Sequence, residues 1–332
     1  MTCTYRTPLL IRVLPPLLIA EVILGVLGNG LALWIFMFRL KPWKSSTVLL
    51  FNLTLADFLL NVALPFRASY YFSGLEWHFG HAFCNVSLFM LAMNRSGSIF
   101  FLMTIAVDRY VRVVHPHHAL NTLSVAKAGC GAALLWLITF SFTAHLLALP
   151  SLNTTKCESF DIHLDGLNFS QFWHKGFFLL SFFLPLVVIV FCTCSIVAHL
   201  RRRQLAHQAR IKKALWFMTL VVVLFVVCFL PSNVTQLLIW AKHRQIPSGL
   251  SEEQQQEQAC ALENLSTAFY MTISLTYLNS ALDPVVYYLS IPAFRNICRG
   301  ALRLGRASNT NEDTTERPKG QELASQTISQ LG

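Results

Sequence analysis

One arginine, Arg95, lies inside the long apolar run from Cys84 to Pro116, CNVSLFMLAMNRSGSIFFLMTIAVDRYVRVVHP, and the triplet Asp108-Arg109-Tyr110 closes that run. A guanidinium within an apolar span costs ~2.5 kcal/mol or more even on the mild insertion scale, so it must meet a polar cavity or a counter-charge. Its partner is either an internal acid, Asp57 or Glu21, or an anionic ligand, whose carboxylate the planar fork of arginine can grip with two parallel hydrogen bonds. Arg67, at the far end of NLTLADFLLNVALPFRASYY, would add a second positive charge.

A second set of polar residues, Asp57, Asn29, Ser98, Asn279 and Asp283, falls at the middle of four different apolar runs. Two carboxylates at one depth resist joint ionisation without a cation. The set reads either as oxygen ligands for a sodium ion or as a hydrogen-bonded structural network, and both can hold at once.

The elements that must position these residues follow from composition. The chain has 332 residues, of which 54% are hydrophobic and 13% charged, with a mean hydropathy of +0.51. That is too apolar for an ordinary soluble domain of this size. Apolar runs long enough to span a bilayer recur seven times, at 13–38, 47–72, 82–114, 125–149, 172–200, 212–241 and 262–289. Read as a helix, the third run puts Arg95 about 16 Å below Cys84 and Asp108 about 20 Å further on, enough to cross a ~30 Å hydrocarbon core.

The net charge of +10 is topological and does not point to nucleic acid. Arg39, Lys41 and Lys44, then Arg112 and Lys127, then Arg201, Arg202, Arg203, Arg210, Lys212 and Lys213 fill the loops on one side. Glu76, Glu158, Asp161, Asp165, Glu252, Glu253 and Glu257 fill the other. The positive-inside rule then places the N-terminus outside and the C-terminus in the cytoplasm. The first apolar stretch outruns the core of a cleaved signal peptide and reads as a retained span. No outer-half acid on the second, third, sixth or seventh span could neutralise both arginines, which favours a ligand over an internal pair.

The nine cysteines contain no Cys-x-x-Cys spacing. Cys130, Cys192, Cys194 and Cys228 lie within spans and read as small apolar packing residues. Cys84, Cys157, Cys3 and Cys260 all fall on the outer side, where oxidation is permitted, and the pairings expected are Cys84–Cys157 and Cys3–Cys260. Asn153 and Asn168 are glycosylation acceptors if their loop is extracellular, whereas Asn52, Asn85, Asn94 and Asn233 lie in or next to spans. Glu21 reads as an outward-tilted or protonated residue near the interface, and Trp136 and His145 as packing. Pro185 and Pro231 permit kinks in the fifth and sixth spans. After Pro292, Phe294, Ile297, Ala301 and Leu304 oppose Arg295, Arg299, Arg303 and Arg306, a short amphipathic helix suited to an anionic inner leaflet. Cys298 within it is either palmitoylated or a free thiol.

Taken together, Asn29, the run Leu53 to Asp57, Cys84, Asp108-Arg109-Tyr110, Trp136, Pro185, Cys228 to Pro231 and Asp283 to Tyr287 resemble the rhodopsin-like G protein-coupled receptors in every span. LPFRASYY, LFMLAMNRSGSI, DRYVRVVHPHHALNTLS, CESF, RRRQLAHQARIKKA and LNSALDPVVYY are similar to the hydroxycarboxylic acid receptors, particularly the lactate type, with oxoeicosanoid and hydroxyeicosanoid receptors as near relatives. The likeness runs from about Pro15 to Phe294. Two departures stand out: Gln236 occupies the place of an arginine on the sixth span, and the N-terminus offers one cysteine where the family usually has two.

The resemblance implies an all-α membrane protein, a seven-helix bundle with a short amphipathic eighth helix. Its parts would be an extracellular N-terminus (1–12), the bundle (13–291), helix 8 (292–304) and a disordered cytoplasmic tail (305–332) at the plasma membrane. Arg95 would bind an agonist carboxylate, with Arg67, Ser159, Tyr277 and His174 around it and Trp77 and Phe269 packing over it. Asp108 would hold Arg109 at rest and release it, with Tyr110, to a heterotrimeric G protein of the inhibitory type. Phe229 stands where most of the family has tryptophan, and Pro231, Pro284 and Tyr287 complete the switch.

The agonist would be a small hydroxy acid such as lactate or a fatty-acid derivative. Receptor kinases, arrestin and membrane lipid are the other partners expected, and no cofactor beyond an allosteric sodium ion. A retinal pump lacks its lysine in the seventh span, a transporter its inverted repeat, and an enzyme any HExxH or GxSxG.

Overall fold

In the computed structural model the residues described are 6–148, 157, 169–202, 209–244, 252–290 and 294–300. They form seven long helices: α1 Arg6–Trp34, α2 Ser45–Phe72, α3 His81–Val114, α4 Val125–Thr143, α5 Phe169–Arg202, α6 Ala209–Arg244 and α7 Glu252–Ser290. A π-helical turn, Ile35–Arg39, prolongs α1, and a 3-10 turn, Ala144–Ala148, prolongs α4. No strand occurs among the described residues. Residues Met1–Ser290 make one compact unit. In the second unit, residues 294–300 are helical and Cys298 is a free thiol.

Helices are what these runs must form, because hydrocarbon offers no partner for a backbone N–H or C=O and each helix satisfies its own. Large apolar side chains accordingly cover the outside of the bundle, among them Leu27 on α1, Leu137 on α4 and Val187 on α5, each more than 60% exposed. Among the described residues six helices are long and apolar enough to cross a membrane. The seventh, α7, is long enough at 39 residues but carries Ser274, Thr276, Asn279, Ser280 and Asp283, all buried. It can hold them because it packs between α6 and α1 and also meets α2, so one face is turned to other helices.

α1 lies along both α2 and α7. The contact is tight where glycine allows it: a Cβ at Gly28 would stand 2.8 Å from Cγ of Pro284. Prolines interrupt α2 at Pro65, α5 at Pro185, α6 at Pro231 and α7 at Pro284. Each removes one N–H from the i to i−4 ladder. In α6 the hydroxyl of Ser232 and the amide of Asn233 both donate to the carbonyl of Phe229, so the turn at Pro231 is stitched by side chains.

Several expectations change at this level. Glu21 is buried, at 2% exposure, on the face of α1 that also buries Leu14, Leu18 and Asn29, because that face meets α2 and α7 and not the interface. Cys130 and Cys194 lie on the exposed outside of their helices, whereas Cys192 and Cys228 are buried. Asn85, Asn94 and Asn233 are buried in the bundle. Asn153 and Asn168 lie outside the described residues.

Candidate functional site

At the end of the bundle marked by Cys84, an apolar cluster gathers Leu14 and Leu18 of α1, Leu60 and Leu64 of α2, Leu88 and Leu91 of α3, Phe178 of α5, and Phe269 and Tyr277 of α7. The Cys84–Cys157 disulfide ties the segment between α4 and α5 to the start of α3. Cys260 is also disulfide-bonded; Cys3, its expected partner, lies outside the described residues.

Within this cluster is a cavity of about 70 Å³, bounded by α2, α3, the end of α4, α5 and α7. Arg67, Arg95 and Tyr277 line it, as expected of them. Phe269 lines it too, so it forms a wall and is more than packing. Ser96, Phe142, His145, Phe178 and Ser181 are also in the wall. Ser181 and His145 were not legible as site residues, since nothing in their spacing distinguishes them from other polar residues in apolar spans. Ser159 and the His174 side chain lie outside what is described.

The two arginines are held differently. Arg67, 5% exposed, donates through Nη1 to the backbone carbonyl of Cys157. Its guanidinium lies 4.9 Å, 5.2 Å and 6.0 Å from the ring centres of Tyr70, Tyr71 and Tyr270. These contacts fix it as a strut between α2 and the disulfide. Arg95 is equally buried, yet it has one long hydrogen bond, Nη1 to Ser181 Oγ at 3.4 Å, and the face of Phe178 at 3.7 Å. Its Nε and Nη2 are buried without a hydrogen-bond partner. Among the described residues neither arginine has a carboxylate within 4.0 Å, so the internal pairing with Asp57 or Glu21 is not formed.

A buried cationic donor left unsatisfied is expensive. Two such donors on one guanidinium, at the wall of a cavity, describe a receiver for an anion.

Deeper in the bundle, Asp57 Oδ1 accepts from Ser98 Oγ at 3.1 Å and from Asn94 Nδ2 at 3.2 Å, and Asp283 Oδ2 accepts from Asn279 Nδ2 at 3.2 Å. Asn29 donates to the backbone carbonyl of Ser280 at 2.8 Å, and Ser280 reaches Asn94 at 3.4 Å. These bonds join Asp57, Ser98 and Asn29 into one network through Asn94 and Ser280, and pair Asn279 with Asp283. Asn94 was legible in principle, since it sits one turn before Ser98 on the same face of α3. Oδ2 of Asp57 and Oδ1 of Asn29 are buried oxygens without a hydrogen-bond partner, the donor type a sodium ion takes.

Ring contacts join α5 to α6 beside the cavity residue Ser181. Phe182 of α5, one residue beyond Ser181, lies parallel to Phe225 of α6 at 5.5 Å. Phe225 contacts the buried Phe229 at 5.1 Å, two residues before Pro231. Tyr287 packs edge-on to Phe36 at 5.8 Å.

At the far end of α3, Asp108 is not principally held by Arg109, whose Nε stands 4.0 Å away. Arg112 takes the carboxylate with Nε, 2.9 Å from Oδ1 and 3.0 Å from Oδ2. Helix geometry explains the change: neighbours in sequence point about 100° apart around the axis, whereas residues four apart face each other. Tyr110 meets His115 Nε2 at 3.1 Å.

A bundle of apolar helices with an arginine-bearing cavity at one end and an Asp-Arg-Tyr triplet at the other defines a seven-helix membrane receptor. Residues 28–287 match the 7 transmembrane receptor (rhodopsin family), and the chain belongs to that family. It is 49% identical to hydroxycarboxylic acid receptor 2 of Homo sapiens, over 89% of this chain and 78% of that one. Identity to hydroxycarboxylic acid receptor 1 of Homo sapiens is 45%, over 88% and 81%, and to oxoeicosanoid receptor 1 of Homo sapiens 39%, over 93% and 77%. The protein is a multi-pass membrane receptor and not an enzyme; its class of partners is a small-molecule agonist and a G protein.

Proposed function

We propose that this receptor binds a short hydroxycarboxylic acid, such as lactate, through Arg95, and signals through an inhibitory G protein to lower cyclic AMP. The observation that carries the reading is the pair of unpartnered donors on the buried Arg95 guanidinium, at the wall of a cavity that no carboxylate lines among the described residues. Cavity size favours a short acid over a fatty-acid derivative: at ~10–15 Å³ per water-sized position, such a space admits about five to seven of them. The relatives named for hydroxycarboxylic acids support the same choice. Tyr277 and Ser181 offer hydroxyls beside the carboxylate, and Ser159 and His174 are assigned to the same ligand by family resemblance.

The Cys84 end faces outward at the plasma membrane, with glycans on Asn153 and Asn168 and the tail beyond residue 304 inside, open to receptor kinases and arrestin. Asp57, Asn29, Ser98, Asn279 and Asp283 would hold a sodium ion that offsets part of the charge of two buried carboxyls and favours the resting arrangement. Agonist binding shifts the balance only by its greater affinity for the active arrangement, relayed from Ser181 and Phe182 through Phe225 and Phe229 to the kink at Pro231.

The test is inhibition of cyclic AMP accumulation in cells expressing the receptor, with lactate, 3-hydroxybutyrate and 12-hydroxyeicosatetraenoate as probes. A response to either short acid and none to the lipid is expected. A response to the lipid alone overturns the assignment of ligand class, and lactate signalling that persists after pertussis toxin overturns the inhibitory coupling.

A further inference from the structure

The Asp108 carboxylate joins a ring of four side chains that crosses from α3 to α2. Arg112 grips both of its oxygens, at 2.9 Å and 3.0 Å, and Ser46 Oγ donates to Oδ2 at 2.7 Å. Arg112 closes the ring by donating through Nη2 to Ser45 Oγ at 2.7 Å. Ser45 and Ser46 open α2, so the carboxylate also faces the positive end of that helix. Arg109, left at 4.0 Å, is the weaker competitor for the same oxygen, Oδ2.

We propose that Arg112 is a positioning residue for G protein coupling: by occupying Asp108 it keeps the Arg109 guanidinium uncommitted and ready for the G protein. The inference rests on the reading of Asp108-Arg109-Tyr110 as the coupling element, and it reassigns the acid's resting partner. Two features make the exchange a matter of competition. Asp108 and Arg112 are one helical turn apart with the acid on the N-terminal side, the favourable order for such a pair. Ser45 and Ser46 add a bond to each member from the neighbouring helix, which Arg109 does not receive. Without the Arg112 charge, the nearest cation to Asp108 is Arg109, and a rotamer change in a long side chain closes 4.0 Å.

The experiment measures nucleotide exchange by purified G protein on full-length receptor in lipid nanodiscs, without ligand and with lactate. It uses whichever heterotrimer the wild type activates, so a failure of inhibitory coupling is seen separately in the choice of heterotrimer. Arg112→Ala should lower ligand-free exchange about two- to fivefold, the size of a part-exposed ion pair, and Arg112→Lys should retain most of it. Asp108→Asn combined with Arg112→Ala should match Asp108→Asn alone, because with the carboxylate gone Arg112 has nothing left to occupy.

Undiminished exchange in Arg112→Ala overturns the proposal. So does a double variant that stays below Asp108→Asn alone, since Arg112 would then act on the G protein directly. If Arg112→Ala does not yield folded receptor, Arg112→Gln, which keeps a donor for Ser45 without the charge, is read by the same criteria.

Discussion

The guanidinium carbon of Arg95 stands 3.7 Å from the centre of the Phe178 ring, so α3 presents its buried charge to the face of an aromatic ring on α5. The ring's negative face compensates part of the charge and leaves the edge of the guanidinium, with Nε and Nη2, facing no acceptor. That edge is the one that pairs with a carboxylate.

Arg95→Ala is therefore expected to abolish the response to lactate with surface expression preserved. Arg95→Lys keeps the charge and loses the fork, and should weaken potency at least tenfold, in line with ~1.5–3 kcal/mol for hydrogen bonds to a charged group. Concentration–response curves for cyclic AMP, normalised to surface receptor, give both numbers.

Arg67 does different work, and its removal should show it. The strut to the Cys157 carbonyl and three tyrosine rings is lost in Arg67→Ala, which leaves a buried acceptor unmade, a cost of about 1–3 kcal/mol. A lower thermal midpoint in detergent is the expected outcome; a midpoint equal to wild type with potency alone reduced would make Arg67 a ligand residue and not a strut.

Loss of the Cys84–Cys157 bond opens a loop of 73 residues, for which chain entropy predicts a cost of about 4 kcal/mol. Cys157→Ala should bring the thermal midpoint down further than Arg67→Ala does. It should also lose the lactate response, because the disulfide anchors one edge of the cavity.

Glu21 is the reverse case. Both its carboxyl oxygens are buried without a hydrogen-bond partner, so Glu21→Leu is expected to raise stability, by roughly 1–3 kcal/mol for removing an unsatisfied polar group. Thermal unfolding followed by a thiol-reactive dye would read the shift, and a fall in midpoint would assign the carboxyl a contact essential to the fold.

At the α1–α7 contact, Gly28→Val should destabilise by about 1–3 kcal/mol, the usual cost of overpacking, since the Pro284 ring at 2.8 Å has no rotamer into which to retreat. The same substitution at Gly30, where a Cβ meets only a Phe58 ring atom at 3.7 Å, should cost much less.

The sequence by itself determined the class of fold. Seven apolar runs of spanning length admit one backbone solution in hydrocarbon, and a lone arginine and a lone aspartate inside such runs had to turn inward, as Arg95 and Asp57 do. It did not determine which inward groups meet. Glu21 and Asp57 were both plausible counter-ions for Arg95, and depth along a helix could not separate them, because pairing depends on the rotation and tilt of α1, α2 and α3 against one another. Tertiary packing set Arg95 against Phe178 and Ser181, delivered Arg67 to the disulfide, and gathered Asn94 and Ser280 around Asp57. Arg112 was legible as a residue four positions after Asp108. That it wins Asp108 over Arg109 was decided by Ser45 and Ser46 arriving from α2, a contact between positions about sixty residues apart that only the packed bundle creates.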